Sequence, residues 1–364
     1  MARIVYGVMG DSLGHVSRAR AVAEMLPGHE FLFVGGFKVS DLEQEGYRVV
    51  AVPVLGTAIG KSRVSVAGTI AGTLRILPRL STVIKRLAVL MDSFRPDLIL
   101  SDYEFFTPRA ARMSGMSCVS LDNQHMLTHC RVLPPSGHRI SRWMTTGVMR
   151  LLYGSSSRYL VTCFHSLEPK DPRKTEVLPP VIRKTVRETP SSTGEHALVY
   201  LRGGLPEGLM TAFRKMNRPF VIYGSTKRTM TVGNLTFKIH SDREFVRDLA
   251  SSAYVVCNGG HSTISEALYH GKPVLCHPVR FFYEQAVNGH LLSMAGYGEM
   301  PSPGDDWEVN LRTFEADLGR YRARIRGGKF LGNEIVAERL RELISFHVHK
   351  SRRSGATALR KTSS

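Results

Sequence analysis

The chain has 364 residues, of which 43% are apolar, and 49 basic against 31 acidic residues give it a net charge of +18. This length can supply two domains with a hydrophobic core each, and no run approaches the eighteen uncharged apolar residues of a membrane-spanning helix. The five cysteines are scattered and include no CxxC pair, which indicates a reducing compartment and neither a disulfide framework nor a zinc site.

Positive charge is concentrated in two stretches that lack acidic residues. The first lies between Glu45 and Asp92, and the second between Asp122 and Glu168. Both mix basic with apolar residues, as in "AGTIAGTLRILPRLSTVIKRLAVL" and "ISRWMTTGVMRLLYG". A basic amphipathic surface fits an anionic membrane face or a polyanionic ligand, and a solvated basic face without a dedicated partner is the open alternative.

In chain order, the first half alternates short apolar runs with segments of helical spacing. The predicted strands are "RIVYGVMG", "EFLFVGG", "RVVAVPV", "PDLILSD" and "SCVSLD", and the predicted helices include "VSRARAVAEML", "STVIKRLAVLMDSF" and "PRAARMSG". Short buried strands that alternate with helices indicate parallel βαβ units. Residues 1–165 are therefore predicted to form a Rossmann-like domain.

A segment rich in proline and charge, residues 166–196, is predicted to connect this domain to a second one. The alternation then restarts with "ALVYLRGG" and continues through "AYVVCNGG", "STISEALYHG" and "KPVLCHP". Residues 197–332 are predicted to form a second Rossmann-like domain, 333–347 a C-terminal helix and 348–364 a disordered basic tail. The predicted fold class is α/β, with two halves that face each other across a ligand-binding cleft.

One motif of the second half, "NGGHSTISEALYHGKPV", combines bare backbone, hydroxyls and a carboxylate. Gly259 and Gly260 allow backbone N–H groups to approach a ligand, and the following helix favours an anion at its N-terminus. Ser262 and Thr263 either donate to a phosphate or cap the helix. Glu266 lies one turn into the helix, where it can accept hydrogen bonds from a diol such as a ribose.

Together with the downstream "GKPVLCHP" and "FFYEQAVNGHLL", this motif resembles the donor-binding signature of GT-B glycosyltransferases. It is most similar to the branch that holds the UDP-glycosyltransferases of family 1 and the peptidoglycan N-acetylglucosaminyltransferase of family 28. The resemblance implies that the glycine turn with Ser262 and Thr263 holds a diphosphate and that Glu266 binds ribose. It also implies that Glu284 and Gln285 bind sugar hydroxyls.

The donor motif departs from the family pattern at two points. Asn258 stands where many family 1 members have a histidine, so one phosphate contact is expected to differ. The loop between Pro278 and Glu284 is also longer than in the commonest form of the motif.

The stretch "GDSLGHVSRARAVAEML", which comes after the first predicted strand, resembles the glycine-rich loop of the same family and contains Gly10, Asp11 and Gly14. It is not a dinucleotide fingerprint, because its glycines do not form GxGxxG. The resemblance places this loop on the acceptor side of the cleft. Three polar residues that end a later strand are predicted to line the same side, or to be ordinary loop residues: Asn123, Gln124 and His125.

The resemblance further implies that His15 is the general base and that Asp102, which ends the strand "PDLILSD", orients it. An imidazole can take a proton from a hydroxyl near neutral pH. A carboxylate on its other nitrogen fixes the tautomer and stabilises the imidazolium. Asp11, in the same loop, is the alternative base.

These motifs predict an inverting, metal-independent transferase that moves a hexose-type sugar from a UDP-sugar to a hydroxyl acceptor. Stabilisation of the leaving diphosphate is assigned to the helix N-terminus, and no cofactor or metal site is predicted. The acceptor is predicted to be a glycan, a lipid-linked or cell-envelope compound, or a small molecule, with no specific nucleic acid partner. The basic stretches favour a cytoplasmic protein in peripheral contact with the anionic inner face of the cell membrane.

Two alternatives fit parts of the sequence. A UDP-N-acetylglucosamine 2-epimerase shares the fold, but it needs no separate acceptor and so has no use for a His15–Asp102 base. A noncatalytic protein that binds nucleic acid or an anionic glycan would show salt-sensitive binding without turnover. The sequence contains no RRM, KH or helix-turn-helix pattern that supports this second alternative.

Overall fold

The computed structural model describes residues 1–56, 65–202, 204–224, 226 and 228–346. Its N-terminal half contains β1 (Arg3–Val8), β2 (Glu30–Gly35), β3 (Arg48–Ala51), β4 (Leu98–Asp102), β5 (Val119–Asp122), β6 (Cys130–Arg131), β7 (Arg158–Thr162), β8 (Glu168–Pro169) and β9 (Thr175–Leu178). The helices of this half are α1 (Leu13–Met25), α2 (Val66–Ile76), α3 (Leu80–Phe94), α4 (Phe106–Met113), α5 (Met126–His129), α6 (Arg139–Leu152) and α7 (Lys184–Glu188). Short 3-10 helices cover Phe37–Glu45 and Leu77–Arg79.

Seven strands of this half form one sheet in the order β3-β2-β1-β4-β5-β7-β9, and every neighbouring pair is parallel. Apart from its first residue, β1 is buried along its whole length, as its continuous apolar sequence predicts for a central parallel strand. The strand order reverses between β1 and β4, so the loops that leave these strands open a crevice at their carboxyl ends. Val8 and Asp102 lie opposite each other there.

The C-terminal half repeats this plan with β10 (Ala197–Tyr200), β11 (Phe220–Tyr223), β12 (Met230–Val232), β13 (Leu235–Lys238), β14 (Tyr254–Cys257), β15 (Val274–Cys276) and β16 (Gly298–Glu299). Its helices are α8 (Glu207–Lys215), α9 (Asp242–Ser251), α10 (His261–Tyr269), α11 (Tyr283–Ala295), α12 (Trp307–Ala316) and α13 (Leu318–Arg326). The sheet order is β12-β13-β11-β10-β14-β15-β16, and only the edge pair β12-β13 is antiparallel. The predicted pair of Rossmann-like halves is confirmed.

The predicted linker, residues 166–196, contains more regular structure than its composition indicates. Within it, β9 pairs with β7 and becomes the seventh strand of the N-terminal sheet. The predicted boundary at residue 165 is therefore too early, because the N-terminal sheet continues to Leu178. A short strand at the edge of a sheet tolerates polar and charged residues, which is why "TEVL" gives no clear alternation.

The last described helix, α14 (333–346), returns to the N-terminal half. Its buried residues Val336, Leu340 and Ile344 pack in the core cluster that contains Ile4 of β1. The end of the predicted helix and the predicted tail, 347–364, lie outside the described residues. Among the residues that are described, no helix combines the length and the apolar character needed to cross a bilayer.

Loss of packing at α14 is expected to destabilise the N-terminal half. Leu340→Ala removes a fully buried side chain and should lower the free energy of unfolding by about 2–5 kcal/mol. Chemical denaturation measures the change, with Glu338→Ala on the exposed face of the same helix as the control. Equal effects of the two substitutions would contradict the packing of α14 on the N-terminal core.

Candidate active site

Two helices begin on opposite sides of the cleft and meet at their N-termini. The N-cap of α1 is Ser12 and that of α10 is Gly260, and neither end has a side-chain cap or an acidic residue in its first turn. A Cβ atom on Gly14 would lie only 2.8 Å from Ser262 Oγ, so the two helix ends are in contact. The first N–H groups of both helices lack intrahelical partners, and the positive ends of two helix dipoles converge. This arrangement favours an anion.

The two glycines of the turn before α10 have different structural roles. Gly259 has a φ of +86°, and a Cβ atom there would lie 2.6 Å from the Gln285 carbonyl oxygen. Gly260 has ordinary backbone angles, and a Cβ atom there would meet nothing within 4 Å. Gly259 is therefore required by the fold, whereas Gly260 keeps open the space in front of the helix. Because Gly260 is the N-cap, Ser262 and Thr263 lie inside the helix and do not cap it.

Asn258, the residue that departs from the family pattern, is bound within the protein. Its side-chain oxygen accepts from the backbone N–H of Arg202 at 2.5 Å, and its amide donates to the His277 carbonyl at 3.0 Å. Asn258 thus joins the chain ends that leave β10 and β15.

The carboxylate of Glu266 is held by an arginine that the sequence did not single out. Arg183 Nε donates to Glu266 Oε1 at 2.7 Å and Arg183 Nη2 to Oε2 at 3.0 Å. Arg183 also bonds Asp242, at the start of α9. Burial opposes the charge on Arg183, but the two carboxylates outweigh it and raise the pKa of the guanidinium. Arg183 fixes Glu266 from one side, and the remaining lone pairs of the carboxylate are available to a diol.

The predicted dyad of the general base His15 and Asp102 forms where β1 and β4 end side by side. His15, in the first turn of α1, places its Nδ1 atom 2.6 Å from Asp102 Oδ1, and both residues are buried. Because a carboxylate can only accept, Nδ1 carries the proton and Nε2 is the basic nitrogen. No hydrogen bond to Nε2 is found among the described residues.

Arg18 is a third member of this group that the motifs did not reveal. Its Nε and Nη2 atoms donate to the two oxygens of Asp102 at 2.7 Å each, and Nη2 lies 3.2 Å from His15 Nδ1. Burial and the charge of Arg18 oppose protonation of His15, but Asp102 outweighs both and raises the pKa of the imidazole above 6.5. The spacing from His15 to Arg18 puts both side chains on one face of α1. Arg18 falls among the apolar residues of the predicted helix "VSRARAVAEML", and this was the available signal.

Tyr103, directly after Asp102, has a φ of +52° in a residue that is not glycine. Its ring stacks on that of Tyr153 at 4.1 Å between centroids and lies 6.4 Å from the His15 ring. A left-handed tyrosine is strained, and such strain is concentrated at functional sites.

Gln124 and Glu284 connect the two halves across the cleft. Gln124 Nε2 lies 3.2 Å from each oxygen of the Glu284 carboxylate. Burial raises the pKa of Glu284, and the charge of His15 and the Gln124 hydrogen bond offset this only in part. Gln124 Oε1 has no partner among the described residues. These two predicted site residues are therefore brought together beside His15.

The two residues of the predicted pair Glu284–Gln285 have different roles in the structure. Glu284 faces the cleft, whereas Gln285 Oε1 accepts from the backbone N–H of Val279 at 2.9 Å and holds the preceding loop. Gln285 thus stabilises the lengthened loop that precedes Glu284.

Asn123 and His125 lie behind the cleft surface. Asn123 donates to the Thr162 carbonyl at 2.9 Å. His125 bonds Asp122 through Nδ1 at 2.6 Å and the Tyr153 carbonyl through Nε2 at 3.0 Å. Burial opposes a positive charge on this imidazole, but Asp122 raises its pKa. Both ring nitrogens of His125 are engaged with protein acceptors, so neither is available to a substrate hydroxyl.

The glycine-rich loop brings Asp11 near His15 without a direct bond. Asp11 is exposed, and no hydrogen bond to its side chain is found in the described part of the chain. Its charge contributes to the raised pKa of His15, after the larger effects of burial, Asp102 and Arg18. Gly10 packs against backbone, because a Cβ atom there would overlap the Gly36 carbonyl oxygen.

His261, the first residue of α10, was also missed. It is buried, stacks on Phe164 at 5.8 Å between centroids, and has no partner for Nδ1 among the described residues. Burial, Arg18 and His15 lower its pKa to about 3, so the ring is neutral at pH 7. In the described ranges, no group of three or more His, Cys, Asp and Glu residues could hold a metal ion.

The two glycines of the turn give a matched test of this geometry. Gly259→Ala should destabilise the fold by about 1–2 kcal/mol from its left-handed backbone alone, with the clash against Gln285 in addition. Gly260→Ala should cost less than about 1 kcal/mol, because only an N-cap preference is lost. Thermal and chemical denaturation of both variants measure the difference. Equal losses would contradict the described turn.

Comparisons with known proteins identify the family of this chain. The model of a family described as "Glycosyl transferase family 1" matches residues 2–318. An uncharacterized glycosyltransferase of Methanosarcina acetivorans is 26% identical over 381 residues, which cover 96% of this chain and 99% of that protein.

Solved structures share the architecture at low identity. The glycotransferase of kitacinnamycin superposes with a TM-score of 0.65 and 17% identity, over 94% of this chain and 99% of that one. Phytolacca americana UGT2, solved with UDP-2fluoro-glucose and pterostilbene, superposes with a TM-score of 0.63 and 14% identity, over 90% and 93% of the two chains. The family match, rather than the shared fold, sets aside the epimerase and the noncatalytic binder. The chain belongs to glycosyl transferase family 1 and is a glycosyltransferase with the GT-B fold.

Proposed function

We propose that this glycosyltransferase is inverting and metal-independent and that it moves a hexose-type sugar from a UDP-sugar to a hydroxyl acceptor. The observation that carries the proposal is the His15–Asp102 contact of 2.6 Å, because His15 directly follows Gly14, where the N-termini of α1 and α10 meet. It combines a base with an anion-binding surface, which are the two requirements of the reaction.

In the proposed reaction, His15 Nε2 takes the proton of the acceptor hydroxyl. The acceptor oxygen attacks the anomeric carbon from the face opposite the diphosphate, so that the configuration inverts. The bond from the anomeric carbon to the phosphate oxygen breaks, and the nucleoside diphosphate leaves with the electron pair. Backbone N–H groups at the start of α10, with Ser262 and Thr263, stabilise the leaving charge. Asp102 stabilises the imidazolium that forms.

On the donor side, Glu266 binds the ribose hydroxyls and Glu284 binds hydroxyls of the sugar. Support comes from the Arg183 pair, which presents the Glu266 carboxylate in one orientation before any ligand arrives. Gln124 does the same for Glu284 from the acceptor side. Uridine is proposed because the donor motif resembles that of UDP-dependent enzymes, and the Phytolacca americana enzyme was solved with a UDP-sugar.

The acceptor in this proposal is an amphiphilic compound, such as a lipid-linked or cell-envelope glycan. The enzyme would act at the cytoplasmic face of the cell membrane. Support comes from the acid-free stretch 123–167, which includes both Gln124 and α6. In the other acid-free stretch, Lys61 and Arg63 lie outside the described residues.

Nucleotide binding tests the donor site. Calorimetric titration with UDP, GDP, dTDP and ADP, without added metal, should show selective binding of UDP. Glu266 is assigned to the ribose diol, so 2′-deoxy-UDP should bind about tenfold or more weakly than UDP, because it lacks one charge-assisted hydrogen bond. Glu266→Gln should weaken the binding of UDP and narrow the difference in affinity between UDP and 2′-deoxy-UDP. Arg183→Gln should weaken the binding of both ligands while preserving the preference for the ligand with the diol. No binding of any nucleotide would overturn the proposal.

The pH dependence of turnover tests the base. His15 must be unprotonated to act, so kcat/KM should rise as pH increases through its raised pKa and then level off. Arg18 lowers the pKa of His15, so Arg18→Gln should move this rise to higher pH. Asp102→Asn removes the main charge that raises the pKa and should move the rise to lower pH, with a reduced plateau. The rate of UDP release from the preferred UDP-hexose is the measurement. If the rise in kcat/KM moved in the same pH direction in both variants, the assignment of His15 as the base would be contradicted.

A further inference from the structure

Helix α6 exposes a stripe of large apolar side chains to solvent. Five residues at helical spacing make up this apolar stripe, with exposed fractions of 74%, 78%, 39%, 49% and 76%: Ile140, Trp143, Met144, Val148 and Leu151. The opposite face of the helix packs on the protein through Ser141 and Met149, which are buried. Single exposed apolar residues are ordinary on protein surfaces, but a continuous stripe along one helix marks an interaction site.

Positive charge borders the apolar stripe. Arg139, Arg142 and Arg150 are exposed, lie along one flank, and form no salt bridge with the described residues. No acidic residue occurs between Asp122 and Glu168, so nothing within this stretch of sequence neutralises them. An apolar face with tryptophan beside an arginine-rich face is the pattern of a helix that lies in a membrane interface.

Both ends of α6 are fixed to the protein, and its first end lies at the cleft. His138, directly before α6, has its ring 6.4 Å from that of Tyr283, directly before Glu284. At the other end, Arg109 donates to the carbonyls of Leu152 at 2.7 Å and Leu151 at 3.3 Å. A rigid helix of this kind can set the distance and orientation of the cleft relative to whatever it binds.

We propose that α6 docks this enzyme on an anionic lipid bilayer. The apolar stripe enters the boundary between headgroups and acyl chains, and the three arginines bind lipid phosphates. The role of this docking, which is to bring the cleft to a membrane-resident acceptor, rests on the proposed function. The binding itself requires no turnover.

The charge of the surface selects a bilayer over other partners. A symmetric contact with a second copy would place each arginine flank near another cationic surface, which is unfavourable. A nucleic acid or soluble polyanion would neutralise the arginines but would leave five large apolar side chains in water. An anionic bilayer satisfies both the charge and the apolar area.

Trp143 provides a direct reporter, because the chain has only two tryptophans and Trp307→Phe leaves Trp143 as the single one. Vesicles of phosphatidylcholine with phosphatidylglycerol, at low salt, should shift its emission to the blue and protect it from acrylamide. Vesicles of phosphatidylcholine alone should do so far less, and high salt should release the protein. An unchanged emission on anionic vesicles that do bind the protein would overturn the proposal, because α6 would not be at the interface.

Sedimentation with the same vesicles tests the residues in the full chain. Trp143→Ser with Leu151→Ser, or the three arginines changed to glutamine, should each lower the partition coefficient by about tenfold or more. Val309→Ser with Ile335→Ser removes exposed apolar residues elsewhere and should leave it unchanged. Undiminished binding of the α6 variants would overturn docking through α6. Self-association that the α6 substitutions abolish would assign the stripe to a second copy and would also overturn it.

UDP titration of the same proteins separates the two proposals. The α6 variants should retain the affinity of the unmodified chain for UDP, because α6 holds none of the donor residues. UDP binding without vesicle binding would remove only the docking proposal. Vesicle binding without nucleotide binding would remove only the proposed function.

Discussion

The carboxylate of Asp102 is buried and shared by a histidine and an arginine of the same helix, and the acceptor half of the site depends on this shared charge. A buried carboxylate without partners is strongly unfavourable, so Asp102 requires cations around it. His15 and Arg18 supply them from one face of α1 and thereby fix the start of that helix against the end of β4. The same bonds hold the imidazole in one tautomer and set its basicity through opposing charges.

The donor half uses a similar arrangement. Glu266 is buried and is held by Arg183, which reaches it from the segment after β9. In both halves, an arginine that the sequence motifs did not identify orients a carboxylate before substrate arrives. Buried ion pairs of this kind contribute little net stability, but they restrict geometry, which is what a site for group transfer requires. The contact of Gly14 with Ser262 then brings the two prepared halves together.

Much of this arrangement could be predicted from the sequence, because its motifs resemble those of a family in which the same residue types form the site. The His15–Asp102 contact is consistent with β1 and β4, which end side by side at one edge of the N-terminal sheet. Arg18 and Arg183 could not be identified in the same way, since each depends on which carboxylate lies opposite it in three dimensions. Similarly, "DNQH" looked like one polar loop, yet Gln124 faces the cleft while Asn123 and His125 are used internally. The edge strand β9 was hidden by its short, charged sequence.

The titration of His15 is the most direct test of the account. Two-dimensional ¹H–¹⁵N correlation spectra of protein labelled in its histidine rings report the pKa and tautomer of each imidazole, and His15→Gln identifies the signal. The account predicts a pKa above 6.5 for His15, a neutral form protonated on Nδ1, and a fall in this pKa in Asp102→Asn. A His15 pKa that does not respond to Asp102→Asn, or a neutral form protonated on Nε2, would contradict the claim that Asp102 prepares His15 as a base.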